Sequence, residues 1–342
     1  MPIINHLCAD DYGMKVAKTS ERLDLSKDEK TLVQAPLMHL ESVTVASMGV
    51  TLTTDAIAAC CEHGIPIVFM DRRGDVFATL HSPKLVGTVQ TRREQLLAYT
   101  DDRGSALAAE FCATKAANQA ATLRYWARLR WGSNPDLAVE LENFAADIES
   151  IPQQIRQASA IGTVDVIRGT LMGLEGQCAH RYWQAVGRII PREYAWPSRE
   201  TRGASDPINS LLNYGYAMLY AEAERAIMQA GLDPYAGFLH ADRPGKTSLV
   251  FDLVEEFRQA VIDRVVVGLA ARHYTVKQND HGLLETETRR DFASKVGQQL
   301  DAKMRYGADR HPLRHVILSQ AKAIASFVRR DSPTYDGFAA EA

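Results

Sequence analysis

The stretch FCATKAANQAATLRYWARLRW, residues 111–131, decides how most of the chain is read. It holds no glycine, no proline and no acidic residue. It is one of several helix-period segments that run from about Leu85 to the end, beside TRREQLLAYTDD (91–102) and DLAVELENFAADIESI (136–151). Helix breakers in this region are few: Gly132 to Pro135, Pro152, Pro191 to Pro207, and Pro244-Gly245. The part before Pro83 has a different character. Ser42-Val43-Thr44-Val45 alternates as a strand does, IPIVFM (65–70) reads as a short buried strand, and Val76 to Leu80 returns as its partner after a turn at Asp71 to Gly74. Between these strands Thr53 or Thr54 caps a short helix through Cys61, and Gly64 sits where the glycine just past a helix end belongs. The predicted fold is therefore α+β with two domains: a small β-rich N-terminal domain over 1–85, then a larger all-α domain over 86–342. The last stretch, from Asp331, is expected to be loosely held.

Composition narrows the function classes. No apolar run is long enough to cross a membrane, and MPIINHLCADDYG lacks the pattern of a secretory signal. The five cysteines are odd in number and form no CxxC spacing, which points to reduced, mostly buried thiols and a cytoplasmic setting. A net charge of −3 argues against a wholly basic nucleic-acid binder. Local charge says otherwise. Between Phe111 and Pro135 there is no acid, and Lys115, Arg124, Arg128 and Arg130 interleave with Tyr125, Trp126 and Trp131. From Arg181 to Arg202 five arginines meet two glutamates. A phosphate backbone favours such stretches; ordinary solvated helix faces are the plain alternative.

Chemistry concentrates in two segments. In TSLVFDLVEEFR, residues 247–258, Leu249, Val250, Leu253, Val254 and Phe257 form one apolar stripe. Asp252 and Glu255 fall opposite it, three positions apart, so their carboxylates can converge, and Glu256 lies at the border. A wet helix face explains the acids but not His240, which sits in a turn just upstream. In DVIRGTLMGLEGQCAHRYW, residues 165–183, Glu175 lies at the edge of a stripe of Ile167, Leu171, Leu174 and Cys178. Gly169, Gly173 and Gly176 suggest that another element packs closely there. A carboxylate at such an edge is expected to be partly buried and paired, with Arg168 or Arg181 as ordinary partners. Glu, His and Glu together make a mixed nitrogen–oxygen set, which suits Mg²⁺ or Mn²⁺ better than structural zinc. His180 is a weaker competing ligand. Asp206-Pro207 reads as a helix cap, with Asn209 facing out of the first turn.

These segments resemble the CRISPR-associated endonuclease/integrase family of the adaptation module, the Cas-one family. The likeness covers nearly all of the chain. It runs through HLESVTVASMGVTLTTDAIAACCEHGIPIVFMDRRG, TKAANQ (114–119), GLEGQCAHRYW (173–183), SRETRGASDPINSLLNYGYAMLY (198–220) and AGLDPYAGFLHADRPGKTSLVFDLVEEFRQAVIDRVV (230–266). RETRGASDP is sparser in Arg and Pro than is usual before the DPxN motif.

The resemblance implies an N-terminal domain that forms a homodimer and a catalytic domain with Glu175, His240 and Glu255 as ligands of Mg²⁺ or Mn²⁺. Asp252 matches an acidic position one turn before the last ligand. Lys115, Arg199, Arg202 and Asn209 are the expected DNA contacts. The implied reaction is insertion of a short duplex into a CRISPR array, with a Cas-two protein as partner. A 3′-hydroxyl attacks a phosphodiester, and no activated Ser or Cys is needed. Two other readings remain: an inert DNA-binding scaffold of the same fold, and a helical metal-dependent hydrolase of small phosphate esters.

Overall fold

The computed structural model describes residues 4–71, 76–80, 89–201, 203 and 205–340. The chain divides into two compact units, Met1–Leu85 and Val86–Ala342.

The first unit carries two small sheets around one core. Strands β1 (His6–Ala9), β5 (Ser42–Val45), β7 (Ile67–Met70) and β8 (Val76–Leu80) form one, in that order. β1, β5 and β7 run parallel, and β8 returns antiparallel with Ile67 opposite Leu80. The turn expected between β7 and β8 lies mostly outside the described residues. The second sheet has the order β4 (Lys30–Pro36), β3 (Arg22–Lys27), β2 (Lys15–Thr19), β6 (Thr51–Leu52). Alternation decides which faces are buried: Leu23 and Leu25 of β3 point into the core with Val16 of β2. Helix α1 (Thr54–Glu62) is capped by the Thr53 hydroxyl, which accepts from the Ala56 N–H at 3.3 Å, and Gly64 follows in the left-handed region.

The second unit is built around α3 (Asp102–Arg128), whose buried residues include Leu107, Phe111, Cys112, Asn118, Leu123 and Trp126. It is preceded by α2 (Val89–Ala98), which ends three residues before the Asp101 cap of α3. The period of 91–102 therefore spans a helix end rather than one helix. α4 (Pro135–Glu149), α5 (Ile151–Ala158) and α6 (Val164–Ile189) pack on α3. α7 (Pro207–Gln229) begins at the Asp206–Pro207 cap and packs on α8 (Ser248–Val254). A π-helical stretch, Gln259–Asp263, leads into α9 (Arg264–Ala270). α10 (Thr286–Asp301) and α11 (Leu313–Val328) flank a hairpin of β9 (Lys303–Tyr306) and β10 (Asp309–Pro312), so this helical unit also carries two strands.

Three expectations are corrected. Residues 331–340 are not loose: Tyr335, Phe338 and Ala340 are buried. The reason is aromatic area, since Phe338 stacks on Phe257 with ring centres 5.1 Å apart and Tyr335 meets Phe111 edge-on at 5.7 Å. Gly169, Gly173 and Gly176 face open space, with no atom near where a Cβ would stand, so no close-packed element explains them. The helix expected over 247–258 is broken. α8 ends at Val254, and the amides of Glu255, Glu256 and Phe257 bond back three residues instead of four. No wet face is present: Asp252 is buried within α8, and Glu255 and Glu256 are buried in the tighter turn after it.

Leu171 of α6 is fully buried against α3. Leu171→Ala should cost about 2–5 kcal/mol in urea unfolding of the full chain.

Candidate metal and nucleic-acid site

Three helical elements bring charge to one place. α3 contributes Lys115, α6 contributes Glu175, and the turn after α8 contributes Glu255. The Lys115 ammonium sits between the two carboxylates: it bonds Glu175 Oε1 and lies 2.7 Å from Glu255 Oε2. Arg258 Nε approaches Glu255 Oε2 at 3.1 Å from the other side. Burial drives the Glu255 pKa upward, but Arg258, Lys115 and His240 overcome it and hold the carboxyl down at about 2. Burial opposes the charge on Lys115 as well, and the two glutamates outweigh it. Glu175 thus pairs with Lys115 rather than with Arg168 or Arg181. Lys115, expected at a DNA phosphate, is turned inward with only 14% of its side chain exposed.

His240 is placed by Asp252. The Asp252 carboxylate is wholly buried and accepts backbone N–H bonds from Phe238 (2.6 Å), Leu239 (3.1 Å) and His240 (2.9 Å). Its Oδ1 also lies 2.7 Å from His240 Nδ1. A carboxylate only accepts, so Nδ1 carries the hydrogen and Nε2 of the neutral ring keeps its lone pair, 3.9 Å from Glu255 Oε1. Burial pulls the imidazole pKa down, yet the Asp252 hydrogen bond and the charges of Asp252 and Glu255 bring the net shift upward. Asp252 can come this close because residue 237 is glycine: a Cβ there would stand 2.6 Å from Ser248 Cβ and 3.0 Å from Asp252 Oδ2.

Arg168 also secures the loop. Its Nε donates to the Leu239 carbonyl at 3.1 Å, and its guanidinium bonds Asp165 (2.6 Å) and Tyr99 (2.7 Å). Gln95 does the same further back, bonding the carbonyls of Asp233 and Ala236. Neither role has a signal in sequence, because both join residues far apart along the chain. His180 is exposed on α6, beside a surface hollow lined by Asp147, Ile151, Gln177 and Arg181.

The donor types fit a hard divalent ion: two carboxylates, an imidazole nitrogen held in the right tautomer by a carboxylate, and a place that already attracts a cation. Among the described residues no three His, Cys, Asp or Glu side chains converge as a ready ligand cluster. The lysine ammonium stands between the acids instead.

The expected DNA contacts are arranged differently from one another. Arg199 bonds Asn209 Oδ1 (3.1 Å) and Asn213 Oδ1 (2.7 Å) and lies over the Trp183 and Tyr216 rings. Asn209 does not face out of its helix. It is fully buried, donating to Ser198 and Asp206 and accepting from Arg199 and the Glu200 amide. Its amide is saturated and organises the loop before α7. Arg202 lies outside the described residues. The basic stretches are partly neutralised within the chain: Arg124 pairs with Glu149 and Glu142, Arg181 with Asp147, and Arg188 with Glu140. Arg128, Arg192, Arg243 and Lys246 are exposed.

Asp263, at the end of the π-helical stretch, accepts hydrogen bonds from the Tyr182 and Tyr216 hydroxyls. Burial pushes its carboxyl up to about 6, against those hydrogen bonds and the charges of Arg258 and Arg199.

A family model described as CRISPR associated protein Cas1, the Cas-one family, matches residues 7–298. A CRISPR-associated endonuclease Cas1 of Archaeoglobus fulgidus is 35% identical over 343 residues, covering 97% of this chain and 98% of that protein. The chain belongs to the Cas1 family. Two solved structures share its fold. A casposase bound to integration product has a TM-score of 0.80 at 21% identity, covering 97% of this chain and 93% of that one. A chain of a Cas6-RT-Cas1–Cas2 complex has a TM-score of 0.77 at 21% identity, covering 99% of this chain and 37% of that one.

Two outcomes are expected. In the folded state Asp263 holds its proton up to about pH 6, against 3.8 for the ordinary group, so folding takes up a proton between those values. The stability of wild type relative to Asp263→Asn should therefore fall as pH rises through that window and level off above it, read from urea midpoints at each pH. Lys115→Met, in chelator, should lose about 3–5 kcal/mol because two carboxylates are left short of a counter-charge. An unchanged midpoint would mean that Arg258 alone neutralises the cluster.

Proposed function

We propose that this chain is a divalent-metal-dependent DNA endonuclease/integrase. It joins the 3′-hydroxyl of a short duplex to a phosphodiester of a CRISPR repeat, in the cytoplasm, with a Cas2 protein as partner. The observation that carries this reading is the buried Lys115 ammonium held between Glu175 and Glu255, with His240 Nε2 3.9 Å from Glu255 Oε1. Family membership supports the substrate, since relatives are named CRISPR-associated endonucleases. The casposase and the Cas1–Cas2 complex, which share the fold, support DNA and Cas2 as partners. The β-rich unit is the proposed homodimerisation unit.

In this reading Glu175, His240 and Glu255 hold Mg²⁺ or Mn²⁺, which when bound polarises a phosphoryl oxygen and offsets developing negative charge. Glu255 serves because its carboxylate stays ionised throughout the physiological range. Asp252 is a positioning residue: it fixes the His240 tautomer and gathers the 238–240 amides, and it offers no free oxygen to a ligand beyond those bonds. Lys115 keeps the two glutamates together in the free chain and stays within reach of a phosphate once they are otherwise neutralised. The open glycine face of α6 leaves room beside Glu175 for a DNA backbone. Exposed Arg243 and Lys246, on the loop just after His240, are placed to hold phosphates without reading bases. Arg199 and Asn209 act indirectly, by shaping the loop before α7.

The test is strand transfer. A labelled duplex with 3′-hydroxyl ends is incubated with a leader–repeat plasmid, Mn²⁺ or Mg²⁺, and the protein with and without Cas2. Joining should require metal and should fall at least about 100-fold in Glu175→Ala, His240→Ala and Glu255→Ala. Asp252→Asn should retain DNA binding and lose most joining, since its effect passes through His240. Wild type that binds duplex yet joins nothing under any condition would leave a scaffold. Variants that join as well as wild type would remove the metal reading.

A further inference from the structure

The carboxyl-terminal segment carries more than its length suggests. Residues 332–340 form no helix or strand; Gln320 of α11 donates to the Asp336 carbonyl at 3.1 Å, and several of the other polar links lead to one small region. The Tyr335 hydroxyl bonds Glu256 Oε1, and the Phe338 amide donates to Glu256 Oε2 at 2.9 Å. Asn118 of α3 closes the circuit. Its Nδ2 donates to the carbonyls of Glu256 and Phe338, each at 2.8 Å, and its Oδ1 accepts the Ala340 amide at 2.8 Å. The Gly337 amide reaches Glu110 Oε1 at 3.2 Å, and the Phe338 ring stacks on Phe257. The bound region is the break between α8 and the π-helical stretch. There the amide pattern changes from four residues to three and then to five, which leaves main-chain groups without helical partners. Glu255 sits in that break. Lys115 and Arg258 hold the Glu255 carboxylate itself, and the groups that grip its neighbour Glu256 hold the backbone from which it leaves.

We infer that residues 332–340 are a clasp that aims the Glu255 carboxylate at Glu175 and His240, with Asn118, Glu256 and Gly337 as its positioning residues. The inference rests on Glu255 acting as a metal ligand. α3 then acts twice on the break, through Lys115 on the Glu255 side chain and through Asn118, one turn on, at Glu256. Gly337 is the seat of the clasp. A Cβ there would stand 2.1 Å from Thr114 Oγ1, so any side chain lifts the segment off α3.

The steric seat allows a test that leaves the site residues untouched. Gly337→Ala in the full chain should release the clasp, and Thr114→Gly combined with Gly337→Ala should restore room for it. A chain ending at Arg330 gives the same release, and a synthetic peptide of residues 331–342 should reverse it. Two readouts are taken: amide exchange over 255–263 without metal, and binding of Mn²⁺ alone followed by its electron paramagnetic resonance signal. Released chains should exchange faster over 255–263 and bind Mn²⁺ about tenfold or more weakly, and the double variant and the peptide should recover both. Unchanged exchange on release overturns the clasp. Faster exchange with unchanged Mn²⁺ binding also overturns it as a positioning device. Glu255→Gln separates the reasons: if it abolishes Mn²⁺ binding, the ligand reading stands without the clasp, and if it leaves binding intact, the ligand reading has failed first.

Discussion

One ammonium group between two carboxylates organises the helical unit. Glu175 and Glu255 come from elements 80 residues apart, and both are largely removed from water. Two buried acids so close would repel and would each pay a large desolvation cost. Lys115, with Arg258 behind, removes that cost. α3, the helix that delivers Lys115, packs against α4, α5 and α6. Many of its other buried positions are small or apolar, beside the polar Arg103, Asn118 and Gln119.

The break after α8 is the second constraint, and it follows from the first. Asp252 lies before the break, within α8, where it is buried and bonded to His240. The tightened turn at Glu255 to Phe257, widened again over Gln259–Asp263, holds Glu255 and Glu256 in the interior as well. Each then meets a different neighbour: Asp252 the 238–240 amides, Glu255 the cations, Glu256 the C-terminal segment. Burial raises the Glu256 carboxyl to about 8 while the cations hold Glu255 near 2. The two adjacent glutamates are thus pushed in opposite directions, Glu256 by burial and Glu255 by the cations beside it.

Charge elsewhere is spent within the chain to a degree that the basic stretches do not suggest. Arg124, Arg168, Arg181, Arg188 and Arg199 each have acids, carbonyls or rings of the same unit as partners. Under the proposed reaction, phosphate binding passes to cations that remain exposed, Arg243 and Lys246 among them, beside the loop that carries His240. A backbone-holding surface built this way recognises charge spacing rather than base sequence.

Much of the fold was legible in sequence because it rests on local chemistry. Strand alternation at Ser42–Val45, the Thr53 cap, the Asp206–Pro207 cap and the helical period of 111–128 are written in neighbouring residues. The motif resemblance likewise pointed to Glu175, His240 and Glu255, whose roles remain the proposal made above. Periodicity failed where hydrogen-bond spacing departs from four residues, as at Glu255, because a helical projection assumes about 100° per residue throughout. It also failed where a side chain's partner lies far along the chain. Lys115 between two distant acids, Asn209 saturated by its own loop, and a terminal segment gripped through Asn118 and Glu256 have no local signature. Sequence determined the elements, their caps and the residue types that can do this chemistry. Tertiary structure decided which charges face one another, because pairing in a low-dielectric interior depends on distance in space and not on separation along the chain.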